Sequence, residues 1–329
     1  MALLSICIPT YNRLEQIKRQ VEFFIFEGVL EKDIELIVSN NCSTDGTTEY
    51  LERINEKYNG KLMVINQKTN LGSTGNAEKC IEIASGEYVW LVGDDDYLFP
   101  NIINMILNLI EMHNEVAWIF LKSNCRRGNE ILDLHTLDSV KGYYKNGFEL
   151  FKEILKCTKD VGSLMFSTAN IYRNAHLKKA YAMYISSNEA YSKSGNMALP
   201  LGLTISIALT GDGVITDEVC LSDNVTDISW ESSQIQVFFR DELAMLDTMV
   251  TLMGMKLSKL IDVRHCIQKY PEFQYMRIYF TRGPHADNYA MKYWLRNNPL
   301  VILIDFFGFL GHVIKRCFEN MKERIKTIR

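Results

Sequence analysis

The 329-residue sequence has no long hydrophobic run, no cysteine cluster and no large excess of charge of either sign. It contains only 6 prolines and 19 glycines, which excludes collagen-like and low-complexity chains. Lysine and arginine total 36 against 40 acidic residues, and the net charge of −4 indicates no nucleic-acid partner. Hydrophobic residues make up 47% of the chain, which is enough for a packed core. The sequence therefore predicts a globular protein.

The cysteines form no C-x-x-C pair, and we expect reduced thiols in a cytoplasmic protein. The first nine residues lack the basic segment and the cleavage site of a signal peptide, which also favours the cytoplasm. The G-x-G-x-x-G, Walker A, H-E-x-x-H and G-x-S-x-G motifs are missing as well. The dinucleotide-binding, P-loop, zinc-protease and serine-hydrolase classes therefore lack their signatures.

The first 122 residues alternate short β-branched runs with longer helical patterns, which is typical of an α/β fold with a mostly parallel sheet. The predicted strands are Leu3–Ile8, Ile34–Ser39, Leu62–Asn66, Tyr88–Val92 and Val116–Leu121. The predicted helices are Leu14–Phe26, Thr47–Tyr58, Gly75–Ala84 and Asn101–Met112. Further along, Ser163–Tyr172 and Val214–Leu221 are strand-like, Leu201–Leu209 is helix-like, and residues 236–329 are mostly helical in pattern.

Polar segments follow the first four predicted strands. They are Pro9–Arg13, Asn40–Gly46, Asn70–Asn76 and Gly93–Asp96. Because ligands of such sheets bind beyond the carboxyl ends of the strands, we expect these segments to converge on one polar crevice.

Three adjacent carboxylates, Asp94, Asp95 and Asp96, lie in the last of these segments. Like charges side by side at a strand end are costly unless a cation is bound, and one or two carboxylates plus substrate phosphates suit Mg²⁺ or Mn²⁺. The alternative is a solvated acidic turn that caps the following helix. Alternation along an extended chain directs neighbouring side chains differently, so the three residues are expected to have different roles.

Other residues of the crevice suit a nucleotide. Asn70, Gly72 and Asn76 lie where a backbone can approach a phosphate or a ribose, although a plain strand-to-helix turn is the simpler explanation of this motif taken alone. Tyr11 offers a stacking face for a base, and Arg13 offers a fork for phosphate or carboxylate. The alternative for both is local packing at a helix start.

Taken together, residues 5–13, 35–46, 70–72 and 86–96 resemble the motifs of family 2 glycosyltransferases with the GT-A fold. The resemblance covers about the first 125 residues. Within the family, the pattern is similar to bacterial enzymes that add sugars, including abequose- or rhamnose-type deoxysugars, to surface polysaccharides. It implies a Rossmann-like, mostly parallel sheet flanked by helices, with a helical C-terminal extension.

Carried over by position, the resemblance implies a base pocket, a diphosphate site and a metal site. Pocket and donor residues are Pro9, Thr10, Tyr11, Arg13, Asn40, Asn41, Asn70, Gly72, Asn76 and Asp94, and the candidate metal residues are Asp95 and Asp96. Asp95 is the implied direct ligand, and Asp96 also supports the loop. The chain departs from the family at Gly93, the first position of its usual D-x-D, and at Asn40-Asn41, where Asp-Asp is usual. This second departure leaves the nucleotide base open.

The implied reaction is inverting, Mn²⁺- or Mg²⁺-dependent transfer of a sugar from a nucleoside-diphosphate sugar to a lipid-linked glycan, in O-antigen or capsule synthesis. Such a reaction needs one general base. Glu189 and Asp212 are the nearest candidates, and each is also explained as a loop or turn residue. The rival hypotheses are a non-catalytic nucleotide- or glycan-binding protein and a sugar nucleotidyltransferase.

The predicted organisation is a nucleotide-sugar-binding half over 1–122, an acceptor-binding half of the same domain over 123–235, and a helical region over 236–329. Residues 315–329 carry six basic and two acidic side chains after an apolar segment. Residues 299–329 are therefore expected to contact anionic lipid at the inner face of the plasma membrane. Packing on the protein or in a dimer is the alternative, and the sequence leaves the oligomeric state open.

Overall fold

The computed structural model describes residues 2–127, 130–132, 137–158, 162–187 and 199–224, together with Leu310. The chain divides into two units, residues 1–229 and 230–329. Apart from Leu310, the second unit lies outside the described residues. The predictions for residues 236–329, and for 299–329 within them, therefore fall on residues that the structure does not describe.

Four parallel strands form one half of the central sheet, in the order β3-β2-β1-β4. They are β1 (Leu4–Thr10), β2 (Ile34–Asn40), β3 (Leu62–Asn66) and β4 (Tyr88–Leu91). Their bounds agree with the predicted strands to within two residues. In register, Cys7 of β1 lies between Ile37 of β2 and Leu91 of β4.

Helices cover this half of the sheet. They are α1 (Leu14–Phe26), α2 (Thr47–Lys57), α3 (Gly72–Ile83) and α4 (Ile102–Met112), with a short 3₁₀ helix at Val29–Glu31. In the core, the ring of Phe24 meets Trp90 edge to face at 5.9 Å. Helix α3 begins three residues before the predicted start, directly after an Asx turn in which the Asn70 side chain accepts the Gly72 backbone N–H at 2.8 Å.

The other half of the sheet continues the order as β4-β9-β6-β10-β5. Its strands are β5 (Tyr97–Leu98), β6 (Trp118–Arg127), β7 (Glu130–Leu132), β8 (Gly142–Tyr144), β9 (Asn170–Arg173) and β10 (Gly213–Asn224). Strand β9 runs antiparallel to both β4 and β6, and β10 runs parallel to β6. Strands β1 to β4, β6 and β10 therefore point the same way, and their carboxyl ends share one edge.

The strand-like prediction for Ser163–Tyr172 is wrong over most of its length. The remaining helices are α5 (Gly147–Thr158), α6 (Gly162–Met165), α7 (Asn174–Ser187) and α8 (Leu199–Thr210), with a 3₁₀ helix at Ser167–Ala169. Within Ser163–Tyr172, only β9 forms a strand. The Asn170 side chain donates to the Phe166 carbonyl at 2.8 Å, which holds the preceding turn in a helical form. Helix α8 includes the predicted Leu201–Leu209.

Among the described helices, none is both long enough and apolar enough to cross a lipid bilayer. No disulfide bond joins the six cysteines in the described part of the chain.

Candidate functional site

Two carboxylates converge on one guanidinium at the carboxyl end of β4. Arg13 Nη1 donates to Asp94 Oδ1 and to Asp95 Oδ2, each at 2.8 Å. Thr10 Oγ1 donates to Asp94 Oδ2 at 2.7 Å, which ties the end of β1 to the same group. Asp94 is buried, whereas 25% of the Asp95 side chain is exposed. Arg13 therefore supplies the positive charge that adjacent strand-end carboxylates need.

Charge and burial act against each other in this cluster. Burial raises the pKa of Asp94, and the opposing effects of Arg13 and of the Thr10 hydrogen bond only partly compensate. Burial also lowers the pKa of Arg13, but Asp94 and Asp95 outweigh it and raise that pKa above its ordinary value. Arg13 is therefore firmly charged, and it holds the two carboxylates together.

Asp96 does not join this cluster. Its carboxylate accepts a hydrogen bond from Thr168 Oγ1 at 2.5 Å, and the same hydroxyl accepts the Gly93 N–H at 2.8 Å. Asp96 is 5% exposed, and burial raises its pKa well above the usual range although the Thr168 bond lowers it. Because this carboxylate is enclosed, we do not carry Asp96 forward as a metal ligand. It supports the loop.

Two residues that hold this loop are absent from the sequence-based site. Thr168 is one, and Gln20 is the other: Gln20 Nε2 donates to the carbonyls of Gly93 at 2.8 Å and Asp96 at 2.9 Å. Gln20 is buried on the apolar face of α1, and a polar residue at that helical spacing is the signal that could have identified it. No comparable local signal marks Thr168.

The second crevice loop is closed by the amide of Asn41. Its Nδ2 donates to Asn70 Oδ1 at 2.9 Å and to the Gly72 carbonyl at 3.2 Å. Its Oδ1 accepts the Leu71 N–H at 2.8 Å. Gly72 has a φ of +75°, a backbone conformation that favours glycine. Asn41 thus shapes the loop that carries Asn70 and Gly72.

Asn40 and Asn76 are predicted to bind the donor, but in the structure their side chains form hydrogen bonds to neighbouring strands and to helix α2. Both are buried. Asn40 Nδ2 donates to Thr48 and to Asn66, and Asn76 Nδ2 donates to the carbonyls of Ser39 at 2.9 Å and Thr10 at 3.3 Å. With these amides turned into the protein, we assign them to positioning the strand ends.

Tyr11 is the exposed aromatic residue of the crevice loops, with 44% of its surface accessible. Its neighbours are fixed by contacts with the second loop: the Asn12 N–H donates to Ser43 Oγ at 2.9 Å, and Asn12 Oδ1 accepts the Thr44 N–H at 2.8 Å. Pro9, at the end of β1, is half-buried beside Thr10. The Tyr11 ring is therefore presented to solvent by an ordered turn.

Of the two base candidates, the structure describes only Asp212, and it does not bring that residue into the crevice. Asp212 directly precedes β10 and lies at the amino edge of the sheet, where it accepts the Ala117 N–H and the Tyr143 hydroxyl, each at 2.8 Å. Both oxygens of the Asp212 carboxylate thus accept hydrogen bonds, and the residue lies at the edge of the sheet opposite Asp95. We therefore do not propose Asp212 as the base. Glu189 lies outside the described residues.

Asp223, near the end of β10, is a carboxylate that the sequence reasoning missed. Ser222 pairs with Tyr97 in antiparallel register, so Asp223 is the next residue opposite Asp96. Burial, with a contribution from Asp95, raises the pKa of Asp223 to about 6. The signal was available, because Asp223 follows the predicted strand Val214–Leu221 by two residues.

The overall architecture matches solved glycosyltransferases. A crystal structure of S. aureus TarS 1-349 superposes with a TM-score of 0.61, covering 93% of this chain and 80% of that one at 17% identity. The complex of the same fragment with UDP-GlcNAc gives 0.56 at 16% identity, with coverage of 94% and 80%. At these identities the likeness shows the GT-A fold alone.

Curated relatives match shorter segments. An abequosyltransferase of Salmonella typhimurium is 31% identical over 114 residues, which is 35% of this chain and 34% of the relative. A GalNAc(5)-diNAcBac-PP-undecaprenol beta-1,3-glucosyltransferase of Campylobacter jejuni is 28% identical over 198 residues, 56% of this chain and 63% of the relative. The chain thus spans only part of the length of each relative. The model of glycosyl transferase family 2 matches residues 5–178, just over half of the sequence, and the chain therefore belongs to that family.

Proposed function

We propose that this protein transfers a glycosyl group from a nucleoside-diphosphate sugar to an acceptor hydroxyl. The observation that carries the proposal is the convergence of Asp94 and Asp95 on one cationic position at the carboxyl edge of the sheet. Thr10 links this position to the turn that exposes Tyr11. A diphosphate bound near Asp95 would then have its base within reach of an aromatic ring.

The described residues suit a divalent metal ion that is held by few protein ligands. No group of three or more His, Cys, Asp or Glu side chains converges as a metal site in the described part of the chain. Mg²⁺ and Mn²⁺ are commonly held by one or two carboxylates plus substrate phosphates, and Asp95 could provide one such carboxylate. When bound, the metal supplies neutralisation of the charge that develops on the leaving diphosphate. We propose Asp95 as the direct ligand.

The remaining donor contacts follow from exposure. Tyr11 is proposed to stack on the nucleobase, and Asn70 with Gly72, both exposed, to approach the ribose or diphosphate. Asn41 positions these two residues. The TarS fragment that was solved with UDP-GlcNAc supports a nucleotide-sugar donor of this kind.

We further propose a lipid-linked glycan as the acceptor, in the synthesis of a bacterial surface polysaccharide. The name of the Campylobacter relative, which specifies an undecaprenol-linked oligosaccharide, supports this acceptor class. Activity at the inner face of the plasma membrane through residues 299–329 belongs to the same proposal, since the acceptor would be anchored there. The supporting feature is the basic segment 315–329.

Inverting transfer by single displacement needs a carboxylate that takes the acceptor proton. Glu189 is one proposed base. Asp223 is the second, because it faces the Asp95 loop from another strand at the carboxyl edge. Glu189→Gln and Asp223→Asn are compared in single-turnover transfer. The variant of the true base should lose the chemical step and keep the donor affinity, whereas the other variant should keep both.

The proposed function is tested by thermal unfolding with UDP, GDP, CDP and dTDP, each with and without Mn²⁺. One nucleotide should raise the melting temperature in a metal-dependent way, because it binds the native state alone. Asp95→Asn should abolish the metal-dependent part. Asp33→Asn, an exposed residue before β2, is the matched control and should behave as wild type.

Three outcomes contradict the proposal. If no nucleotide stabilises the protein, or if Asp95→Asn responds to metal as the wild type does, the donor site is not where we place it. Metal-dependent binding without transfer or donor hydrolysis would instead favour a non-catalytic nucleotide-binding protein.

A further inference from the structure

A tyrosine ring lies between two guanidinium groups beside the Asp94–Asp96 loop. The Cζ atom of Arg19 lies 4.2 Å from the centroid of the Tyr97 ring, and the Cζ atom of Arg126 lies 4.7 Å from it. Both distances are within the range of a cation–π interaction. We call these three residues the arginine–tyrosine stack.

Three different elements build the stack at the carboxyl edge of the sheet. Arg19 comes from α1, Tyr97 from β5 and Arg126 from the end of β6. Ser222 pairs with Tyr97 on one side and with Asn124 on the other. Since alternate residues of a strand share a face, Arg126 projects from the same face as Asn124 and reaches across β10.

The stack also contacts the loop that carries the proposed metal ligand. Arg19 Nη2 donates to the Asp96 carbonyl at 3.2 Å. A ligand held by the stack would therefore lie against the same loop as a ligand of Asp95.

The charges of the stack are not neutralised within the described part of the chain. The ion pairs there include neither Arg19 nor Arg126. The Nε atom of Arg126 is buried and has no hydrogen-bond partner. An unsatisfied buried donor on a charged group is costly, and an anion bound at the guanidinium offsets the cost of its unpaired charge. A phosphate matches the planar donor fork of arginine.

We propose that the arginine–tyrosine stack binds a phosphate group of a substrate, with Arg126 as the principal contact. This inference rests on the proposed function and deepens it. Stacking on Tyr97 fixes the plane of the guanidinium, so that its outer edge is oriented before the ligand arrives. The phosphate has two sources in glycosyl transfer to lipid-linked glycans: the diphosphate of the donor and the diphosphate of the acceptor.

The test measures the affinity of the purified protein for three probes by calorimetry. The probes are inorganic pyrophosphate, the nucleoside diphosphate that stabilises the protein most in the series above, and farnesyl diphosphate. We expect Arg126→Gln to weaken binding of pyrophosphate and of one of the other two probes by about tenfold or more. Arg126→Lys keeps the positive charge but loses the planar guanidinium. Its affinity for these probes should therefore lie between the affinities of the wild type and of Arg126→Gln.

Controls separate this effect from changes in folding or net charge. Arg53→Gln removes an exposed arginine of α2 and should leave all affinities unchanged. Melting temperatures show whether Arg126→Gln folds. If Arg126→Gln does not fold, the comparison of Arg126→Lys with the wild type provides the test.

Each outcome supports or overturns the stack as a phosphate site. Weaker binding of the nucleotide alone assigns the stack to the donor, and weaker binding of farnesyl diphosphate alone assigns it to the acceptor. Unchanged affinity of the Arg126 variants for all probes overturns the inference while the proposed function stands. A wild type that binds none of the probes overturns it too. Arg126-dependent binding of pyrophosphate with no nucleotide binding supports the stack and contradicts the proposed function.

Discussion

Gly93 is the position at which the chain departs from the D-x-D pattern of its family, and the structure gives a steric reason for glycine. A Cβ atom built at Gly93 would lie 2.4 Å from Asp96 Oδ2 and 3.0 Å from Asp96 Cγ. The Asp96 carboxylate has little room to yield, because it is enclosed and accepts the Thr168 hydroxyl. We therefore predict that Gly93→Ala is destabilising through overpacking.

The magnitude follows from the depth of the overlap. Real Cβ contacts essentially never fall below 3.0 Å, so the backbone or the Asp96 side chain must shift by more than half an ångström. Forcing an extra carbon into a packed site typically costs about 1–3 kcal/mol. For a unit of this size, a cost near 2 kcal/mol lowers the melting temperature by about 4–8 °C. Gly93→Asp should cost more and should not increase Mn²⁺ affinity, since the new carboxylate would meet Asp96 first.

A double-mutant cycle with Asp96→Ala tests the stated cause. Without the Asp96 carboxylate, the added methyl group at position 93 should cost less than about 1 kcal/mol by urea denaturation. Gly60→Ala is the matched control: Gly60 has a φ of +72° and open space around it, so alanine there costs stability through the backbone alone. Nucleotide binding should survive Gly60→Ala but weaken in Gly93→Ala. Equal costs of Gly93→Ala with and without Asp96 would refute the steric argument.

Two further predictions concern acid stability and the nucleobase. Glu35 is partly buried, which raises its pKa, but hydrogen bonds from Ser5 and Ser85 outweigh burial and hold that pKa below its usual value of 4.5. Its ionised form therefore stabilises the native state above about pH 4.5 and loses this effect as the pH falls through the folded-state pKa. In urea denaturation, the stability difference between wild type and Glu35→Gln should be largest near neutral pH and shrink on acidification, and a constant difference would contradict this. Tyr11→Ala should weaken nucleoside-diphosphate binding by about tenfold or more in calorimetry, because stacking on a base contributes about 1–3 kcal/mol. Tyr11→Phe keeps the ring and should retain the affinity. Equal affinities of wild type and Tyr11→Ala would exclude Tyr11 from the base pocket.

Elements with a strong local pattern could be predicted from the sequence. The bounds of α1 and β3 are those predicted, because α1 repeats apolar residues at helical spacing and β3 is a short apolar run that ends at a polar residue. The segment Ser163–Tyr172 failed for the opposite reason. It is too short and too apolar for its period to distinguish helix from strand, and the Asn170 side chain decides the outcome through bonds to carbonyls within the segment.

The location of the crevice could also be predicted, since it depends only on strand order and direction. The same rule separates two carboxylates that flank one strand: Asp212 precedes β10 and Asp223 lies near its end, so they lie at opposite edges. The predicted strand Val214–Leu221 is sufficient to show this, because Asp212 precedes it and Asp223 follows it. Asp212 is the sequence-based candidate because it lies near the expected motif position in the sequence. The end of the strand at which a carboxylate lies is the better criterion, and it favours Asp223.

The roles of individual side chains within the crevice could not be predicted from residue type. Asp94, Asp95 and Asp96 are consecutive and identical, yet Asp94 is bound by Thr10 and Arg13, Asp95 is bound by Arg13, and Asp96 is turned inward to Thr168. These partners lie 72 to 84 residues away in the sequence, so no local pattern encodes the choice. A run of acidic residues therefore indicates where a cation is needed, while the fold decides which carboxylate remains exposed to bind it. In this chain the partly exposed carboxylate is Asp95, which we propose as the metal ligand.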